Sequence, residues 1–323
     1  MMRETWIPVR VARRWQETKE IAALELVAEG AAKLPAFEAD AHVDVEVAPG
    51  LVRQYSLCND PADRDRYVIG VLRAPDSRGG SAAVHQRLNQ GDVIRIGAPR
   101  NLFALAKDAP HHVLLAGGIG VTPVMAMAHD LAVRQASFTL HYCARTRAQA
   151  AFLEVLGSPA LAARATLHFD DEHGQERFDS RRCLSDQPAG AHVYVCGPTG
   201  FRQAAVDAAR SLGWPDTHVH REVFSQAVTD IDGADRPFEL ELARSRRVVV
   251  VSGDSTALQA LRAAGVELPS SCESGVCGTC LTTVLQGSPD HRDSYLTPAE
   301  QAAGDCFLPC CSRAFGARLT VDL

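Results

Sequence analysis

The sequence predicts a multidomain chain: an antiparallel all-β unit, then an α/β unit with a parallel sheet, then a small cysteine-rich domain. Three observations lead to this. Short apolar runs bounded by turn residues fill the chain to about residue 100, strands and helices alternate from about residue 105, and cysteines gather between Cys272 and Cys311. With 323 residues there is room for two or three domains. The composition, 46% apolar and 22% charged, is that of a globular protein. A formal charge of -6, from 39 acids against 33 bases, gives no reason to expect nucleic acid as a partner.

The first unit takes its strands from Trp6 to Val11, Ile21 to Val27, Val43 to Val47, Tyr67 to Leu72 and Val93 to Ile96. Pro49-Gly50, Asn59-Asp60-Pro61 and Gly91-Asp92 separate them, which suits a barrel or a sandwich. A helix from Ser81 to Leu88 follows Arg78-Gly79-Gly80. In the second unit, strands at His112–Ala116, Phe138–Cys143 and His192–Cys196 alternate with helices such as Val124–Val133 and Phe201–Leu212. His111 to His129 carries no formally charged side chain, but Gly117, Gly118, Gly120 and Pro123 make it strand, turn and helix rather than a membrane span. The polar run from Ser225 to Pro237 reads as a linker. The third unit opens with strands at Phe238–Leu242 and Val248–Val251 and a helix from Ser255 to Ala264. The boundaries expected are 1–104, 105–228 and 237–323. No secretory leader pattern opens the chain, so a cytoplasmic protein with no membrane partner is expected, and its thiols are metal ligands or redox groups.

Cys272, Cys277 and Cys280 show the C-x4-C-x2-C spacing of plant-type [2Fe–2S] ferredoxins, and Cys310 follows. Two bridged irons need four thiolates, and a loop relieved by Gly275 and Gly278 presents three of them. Spacing leaves Cys306 and Cys311 beside Cys310 as neighbours of the fourth position. Structural zinc sites usually show two C-x2-C pairs, and only one is present here. In the first unit, glycines before a helix suit a phosphate, with Arg53 as a bidentate partner and Tyr55 as a flat face for a ring. In the second, Gly117-Gly118-Ile119-Gly120-Val121-Thr122-Pro123 and Cys196-Gly197-Pro198 each follow a parallel strand and lead into a helix, as in a dinucleotide cleft.

In this order, Arg53-x-Tyr55-Ser56, Gly79-Gly80-Ser81, Gly118-x-Gly120-x-Thr122-Pro123 and Cys196-Gly197-Pro198 resemble the ferredoxin–NADP reductase superfamily. With the C-terminal cysteines, essentially the whole chain resembles the phthalate dioxygenase reductase family, which includes vanillate O-demethylase reductases. Tyr55-Ser-Leu-Cys-Asn-Asp60, Ser270-Ser-Cys-Glu-Ser-Gly275 and Asp290-His-Arg-Asp293 carry the match locally. The resemblance implies a flavin-binding antiparallel β-barrel, an NAD-binding α/β domain and a plant-type ferredoxin domain of β-grasp fold. It implies FMN, with Arg53, Gly79, Gly80 and Ser81 at its phosphate, Tyr55 on the isoalloxazine face, Ser56 near the reactive nitrogen, and Leu57 and Val71 completing the flavin set. Phe224 matches a family aromatic beside the flavin.

Gly118, Gly120, Thr122, Pro123, Cys196, Gly197 and Pro198 would hold the nucleotide. Arg145 and Arg147 follow one strand and Asp170 and Asp171 the next; an acid there suits the ribose hydroxyls of NADH, the nucleotide expected. The resemblance also makes Cys310 the fourth cluster ligand. It implies electron transfer from NADH through FMN and a [2Fe–2S] cluster to a separate Rieske non-haem-iron oxygenase, an aromatic-ring dioxygenase or O-demethylase; the need for a short electron path puts the expected contact surface near Glu273 to Val276. No acid–base residue is required by such a relay, and none is assigned as catalytic. A reductase for a non-aromatic, carnitine-type monooxygenase and a redox-sensing iron–sulfur flavoprotein are the competing readings.

Overall fold

The computed structural model describes residues 6–30, 33–74, 79–101, 103–172, 177–224 and 235–323. They fall into two compact units, Met1–Glu222 and Val223–Leu323. Arg78 and most of the polar run expected as a linker lie outside the described residues.

The first unit begins with β1 (Ile7–Gln16), β2 (Ile21–Ala28), β3 (His42–Ala48), β4 (Leu51–Ser56), β5 (Arg66–Leu72), α1 (Gly80–Arg87) and β6 (Val93–Ile96). The strands form an antiparallel sheet in the order β4-β3-β6-β1-β2-β5. A bridge from Leu57 to Ile69 joins the two edge strands into a barrel, so the sheet leaves no long edge open. Val9, Val11, Leu24, Leu26, Val43, Val45, Ile69 and Ile96 fill it, and α1 adds Ala83 and Val84. The polar strand β4 owes its place to the turn at Pro49-Gly50, where Gly50 takes φ 72°, and to its antiparallel pairing with β3.

The same unit continues with β7 (His112–Gly117), α2 (Val121–Val133), β8 (Phe138–Ala144), α3 (Leu153–Leu156), β9 (Ala165–Phe169), α4 (Ser180–Ser185), β10 (His192–Cys196), α5 (Thr199–Ser211) and β11 (Val219–Glu222). All five strands are parallel, in the order β11-β10-β7-β8-β9. The chain moves outward from β7 to β9 and then returns to the other side, so the winding reverses between β7 and β10. Ligands of such sheets bind at that reversal, outside the carboxyl ends of the strands. Helix α2 starts at Val121, three residues earlier than expected, because Pro123 lies in the first turn, where its missing N–H breaks no bond.

Strand β2 shows why the two sheets share one unit. A barrel strand with one wet face alternates, but Ile21-Ala-Ala-Leu24 is buried throughout. Leu24 and Leu26 face the barrel interior, while Ile21 and Ala23 join the core that also holds Leu114, Val124, Met127 and Tyr142. Gly70 of β5 lies against Thr122 and Phe152, with no room for a side chain.

The second unit contains β12 (Phe238–Leu242), β13 (Arg247–Val251), α6 (Ala257–Ala263), β14 (Thr282–Gln286), β15 (Pro289–Asp290), α7 (Pro298–Ala303), β16 (Cys306–Phe307), β17 (Arg313–Ala314) and β18 (Arg318–Val321). The main sheet runs β13-β12-β18-β14-β16, with β12 and β18 parallel and the other pairs antiparallel. Helix α6 sets Ala257 and Leu261 on Leu240, Val249 and Leu319, the grasp of a mixed sheet around one helix. It begins at Ala257 because Thr256 caps it: the Gln259 amide donates to Thr256 Oγ1 at 3.1 Å, and the Gln259 side chain accepts from Thr256 N at 2.9 Å. Among the described residues, no helix is long and apolar enough to cross a membrane.

Candidate cofactor sites

Side chains two apart on a strand share a face, so Arg53 and Tyr55 leave β4 together. Arg53 lies across the start of α1: a methyl group on Gly80 would sit 2.5 Å from Arg53 Cγ and 2.7 Å from its Nε. Gly79, the N-cap, takes φ 81°. The first turn of α1 has no acidic residue and no side-chain cap, so its N–H groups stand beside the Arg53 side chain, whose guanidinium donates to Val52 O at 2.7 Å; helix N–H groups with an arginine next to them can take a phosphate. Ser81 is at the same place, where its Oγ accepts from Ala74 N at 3.2 Å. Burial pushes the Tyr55 phenol up, against the opposing pull of Arg53. Ser56 is buried. The side chains of Leu57 and Val71 belong to the barrel core.

At the sheet reversal the two glycine turns touch. A methyl group on Gly120 would meet Gly197 N at 2.7 Å, and one on Gly197 would meet Gly117 Cα at 2.9 Å. Gly118 takes φ 54°. These glycines therefore serve close backbone approach at the end of β7 and β10. The Arg202 guanidinium donates to the Gly197 carbonyl, and exposed Pro198 precedes α5. Thr122 and Pro123 are buried, with the Thr122 hydroxyl donating to Ile119 O at 3.0 Å. Arg145 and Asp170 are exposed at the ends of β8 and β9. Arg147 lies over the Phe169 ring and pairs with Glu172 at 2.9 Å.

Two residues that sequence reasoning passed over stand at this edge. Glu222 ends β11 opposite Cys196 in register, and Asp40, from the segment before β3, reaches it. Burial first, then Glu222, raises Asp40; burial pushes Glu222 up to about 8. The Cys196 thiol is also raised, by burial and then by Glu222. Glu222 was legible only as the neighbour of Phe224, and no motif marks Asp40. Phe224 belongs to the second unit and is 38% exposed.

In the second unit the thiols meet two by two. Cys272 interacts with Cys277, and Cys280 with Cys310. Contact with Cys277 and donation from the Ser274 and Val276 amides hold Cys272 down to about 6, against burial. Cys280 is raised by Cys310 and by burial. Ser274 N lies 3.4 Å from Cys272 Sγ, and Thr279 N 3.5 Å from Cys277 Sγ; such donors stabilise charge on ligated sulfur. Among the described residues no three metal-ligating side chains converge on one point. A mononuclear zinc site needs that convergence, whereas each iron of a sulfide-bridged pair takes two thiolates. The donor set therefore fits a [2Fe–2S] cluster.

The loop leaves little slack. A methyl group on Gly275 (φ 72°) would meet Cys311 Sγ at 2.6 Å, and one on Gly278 (φ 70°) would strike the Tyr295 ring. Cys311 thus packs on the loop while also touching Cys310, and Cys306 sits beside Asp305. Arg262 ties Glu273 to α6 at 2.8 Å. Behind the fourth thiol, buried Arg313 donates to Ser255 O at 2.8 Å, Ser252 O at 3.0 Å and Arg236 O at 3.2 Å. Arg292 of the Asp290–Asp293 string grips Asp235 bidentately at 2.7 and 2.8 Å, so that string is a structural clamp.

The family model of the 2Fe-2S iron-sulfur cluster binding domain matches residues 240–315, and that of the N-terminal domain of dimethylamine monooxygenase subunit DmmA-like proteins matches residues 94–219. The vanillate O-demethylase oxidoreductase of Pseudomonas sp. (strain HR199 / DSM 7063) is 46% identical over 305 residues, covering 94% of this chain and 96% of that protein. The carnitine monooxygenase reductase subunit of Acinetobacter baumannii is 35% identical over 316 residues, covering 98% of each. A solved phthalate dioxygenase reductase, described as a modular structure for electron transfer from pyridine nucleotides to [2Fe-2S], superposes with a TM-score of 0.79 at 37% identity, covering 98% of each chain. With the barrel, the parallel sheet and the paired thiols all present, the chain belongs to the phthalate dioxygenase reductase family of iron–sulfur oxidoreductases.

Proposed function

We propose that this protein is the reductase component of a two-component Rieske oxygenase system, carrying electrons from NADH through FMN and a [2Fe–2S] cluster to a separate aromatic-ring dioxygenase or O-demethylase. The two-by-two meeting of Cys272 with Cys277 and Cys280 with Cys310 carries this reading, in a chain whose other unit has an anion cradle and a dinucleotide-type sheet edge. FMN, when bound, takes up electrons in a pair and gives them up singly. Arg53 and the first turn of α1 hold its phosphate, Tyr55 covers a ring face, and Ser56 lies along its reactive edge. The contacting glycine turns let a nucleotide lie on backbone N–H groups. Asp170 favours ribose hydroxyls, with Arg145 beside it. The thiols hold two irons, and the loop from Glu273 to Val276 is the exit toward the oxygenase.

The names of the relatives support an oxygenase as acceptor. The carnitine monooxygenase reductase subunit at 35% identity is the observation that favours a second reading, in which the oxygenase acts on a non-aromatic substrate. The chain itself is tested by anaerobic titration with NADH and, separately, NADPH, followed by visible absorbance and low-temperature EPR. Flavin bleaching with a rhombic cluster signal, preferring NADH, is expected. Failure of both nucleotides to bleach the flavin overturns the proposal. Charge reversal at Glu273 is expected to slow reduction of the oxygenase while sparing flavin reduction by NADH.

A further inference from the structure

We propose that Asp40 is a positioning residue that acts through Glu222: the two carboxyls at the carboxyl edge of the parallel sheet hold two protons below a transition and share one above it, and release of the first proton strengthens binding of the cationic, oxidised nicotinamide over the neutral, reduced one. The proposal rests on the nucleotide reading above and adds a group that controls product release.

The geometry begins with the backbone. Asp40 holds φ 71°, a left-handed conformation that favours glycine, and is only 1% exposed. Such a residue is strained and buried at once, which calls for a reason. Neither of its carboxyl oxygens meets a donor, nor does Glu222 Oε2. Two facing carboxylates offer acceptors alone, and only a proton on one of them makes the contact a hydrogen bond. The groups that bear on the pair are the Cys196 thiol from β10 and, through Cys196, Arg202 from α5, with Arg221 next along. Burial raises both carboxyls, so the pair loses its first proton well above the ordinary carboxylate range, and the titration belongs to the pair rather than to either residue.

The charge balance gives the consequence. When a hydride leaves a dihydronicotinamide, the neutral ring becomes a cation. Below the transition the pair is uncharged and does not distinguish the two rings by charge. Above it, the pair has released one proton to water and holds one negative charge, now as O–H···O⁻. That charge attracts the cationic ring and leaves the neutral one unaffected.

The test measures dissociation constants of the flavin- and cluster-loaded protein by calorimetry, between about pH 6 and about pH 10. The probes are NAD+ and its unreactive 1,4,5,6-tetrahydro analogue, whose ring is neutral. In the wild type, NAD+ affinity is expected to rise on the order of tenfold through a transition near the pair's value, with the analogue flat. Asp40→Gly suits the backbone and keeps the site buried, but removes the hydrogen bond that stabilises the Glu222 carboxylate. Its transition is expected to move up by about one pH unit or more. Asp40→Asn, whose amide donates to the same carboxylate, is expected to bring it back.

A transition that is absent in the wild type, or unmoved or lowered in Asp40→Gly, overturns the proposal. A 13C carboxyl titration without nucleotide, on wild type and Glu222→Gln, separates the two levels. If the paired titration is seen but NAD+ binds at no pH, the nucleotide reading fails and the control of product release falls with it. If NAD+ binds but no paired titration is seen, the pair alone fails.

Discussion

Gly80→Ala sets stability and flavin affinity against each other. Gly80 is the first residue of α1 and is helical, so alanine meets no backbone strain there, and its helix propensity stabilises the flavin-free protein by at most about 1 kcal/mol. The added methyl, however, lies 2.5 Å from Arg53 Cγ, 2.7 Å from Nε and 3.0 Å from Cδ. Ordinary carbon contact is about 3.5–4.0 Å, so the Arg53 stem must move by about an ångström. A charged hydrogen bond contributes about 1.5–3 kcal/mol, and about 1.4 kcal/mol is tenfold. Loss of the Arg53 contact therefore weakens FMN on the order of tenfold to a hundredfold. The assay is fluorescence titration of the flavin-free protein with FMN, beside its urea unfolding, with Arg53→Ala as reference. FMN bound at wild-type affinity by Gly80→Ala, with Arg53→Ala weakened, would show that the cradle is not where the phosphate lies.

Cys280→Ser and Cys310→Ser are each expected to abolish cluster assembly, and Cys306→Ser to retain it, measured as iron and acid-labile sulfide. Arg313→Met leaves three carbonyls without their buried donor, while Asp235 keeps its pair with Arg292; unfolding of the second unit should lose about 1–3 kcal/mol. Acid is expected to destabilise the first unit ahead of the second. Burial lowers His42 to about 4, and likewise His112, His141 and His220, whereas the second unit has His291 alone. A base whose folded pKa is depressed stays neutral in the fold while the unfolded chain takes the proton. Stability is thus full above about pH 6.5 and falls toward about pH 4, by about 3 kcal/mol for well-buried His42 and less for half-buried His141 and His220. Calorimetric scans across that range check it, with His42→Gln flattening the slope.

Much of the cofactor chemistry was legible in residue order. The spacing of Cys272, Cys277 and Cys280 and the glycine turns after β7 and β10 are local, because a ligating loop or a tight turn is built from neighbours along the chain. Other features misled or were silent. Pro123 suggested a helix starting after it, yet the helix includes it. That Leu57 and Val71 turn their side chains into the barrel core was not legible in residue order, since strand pairing decides which face of the sheet is the buried one.

By itself, the sequence determined the order of an all-β, an α/β and a cysteine-rich block, the thiols available to iron, and the glycines that permit close approach. Those are properties of spacing and backbone freedom. The tertiary structure alone decided that Cys280 meets Cys310, that Arg53 lies over Gly80, that β2 serves two cores, and that Asp40 reaches Glu222. Each of those contacts joins segments distant along the chain. Strand register and the packing of one element on another, rather than any local preference, determine whether such groups meet.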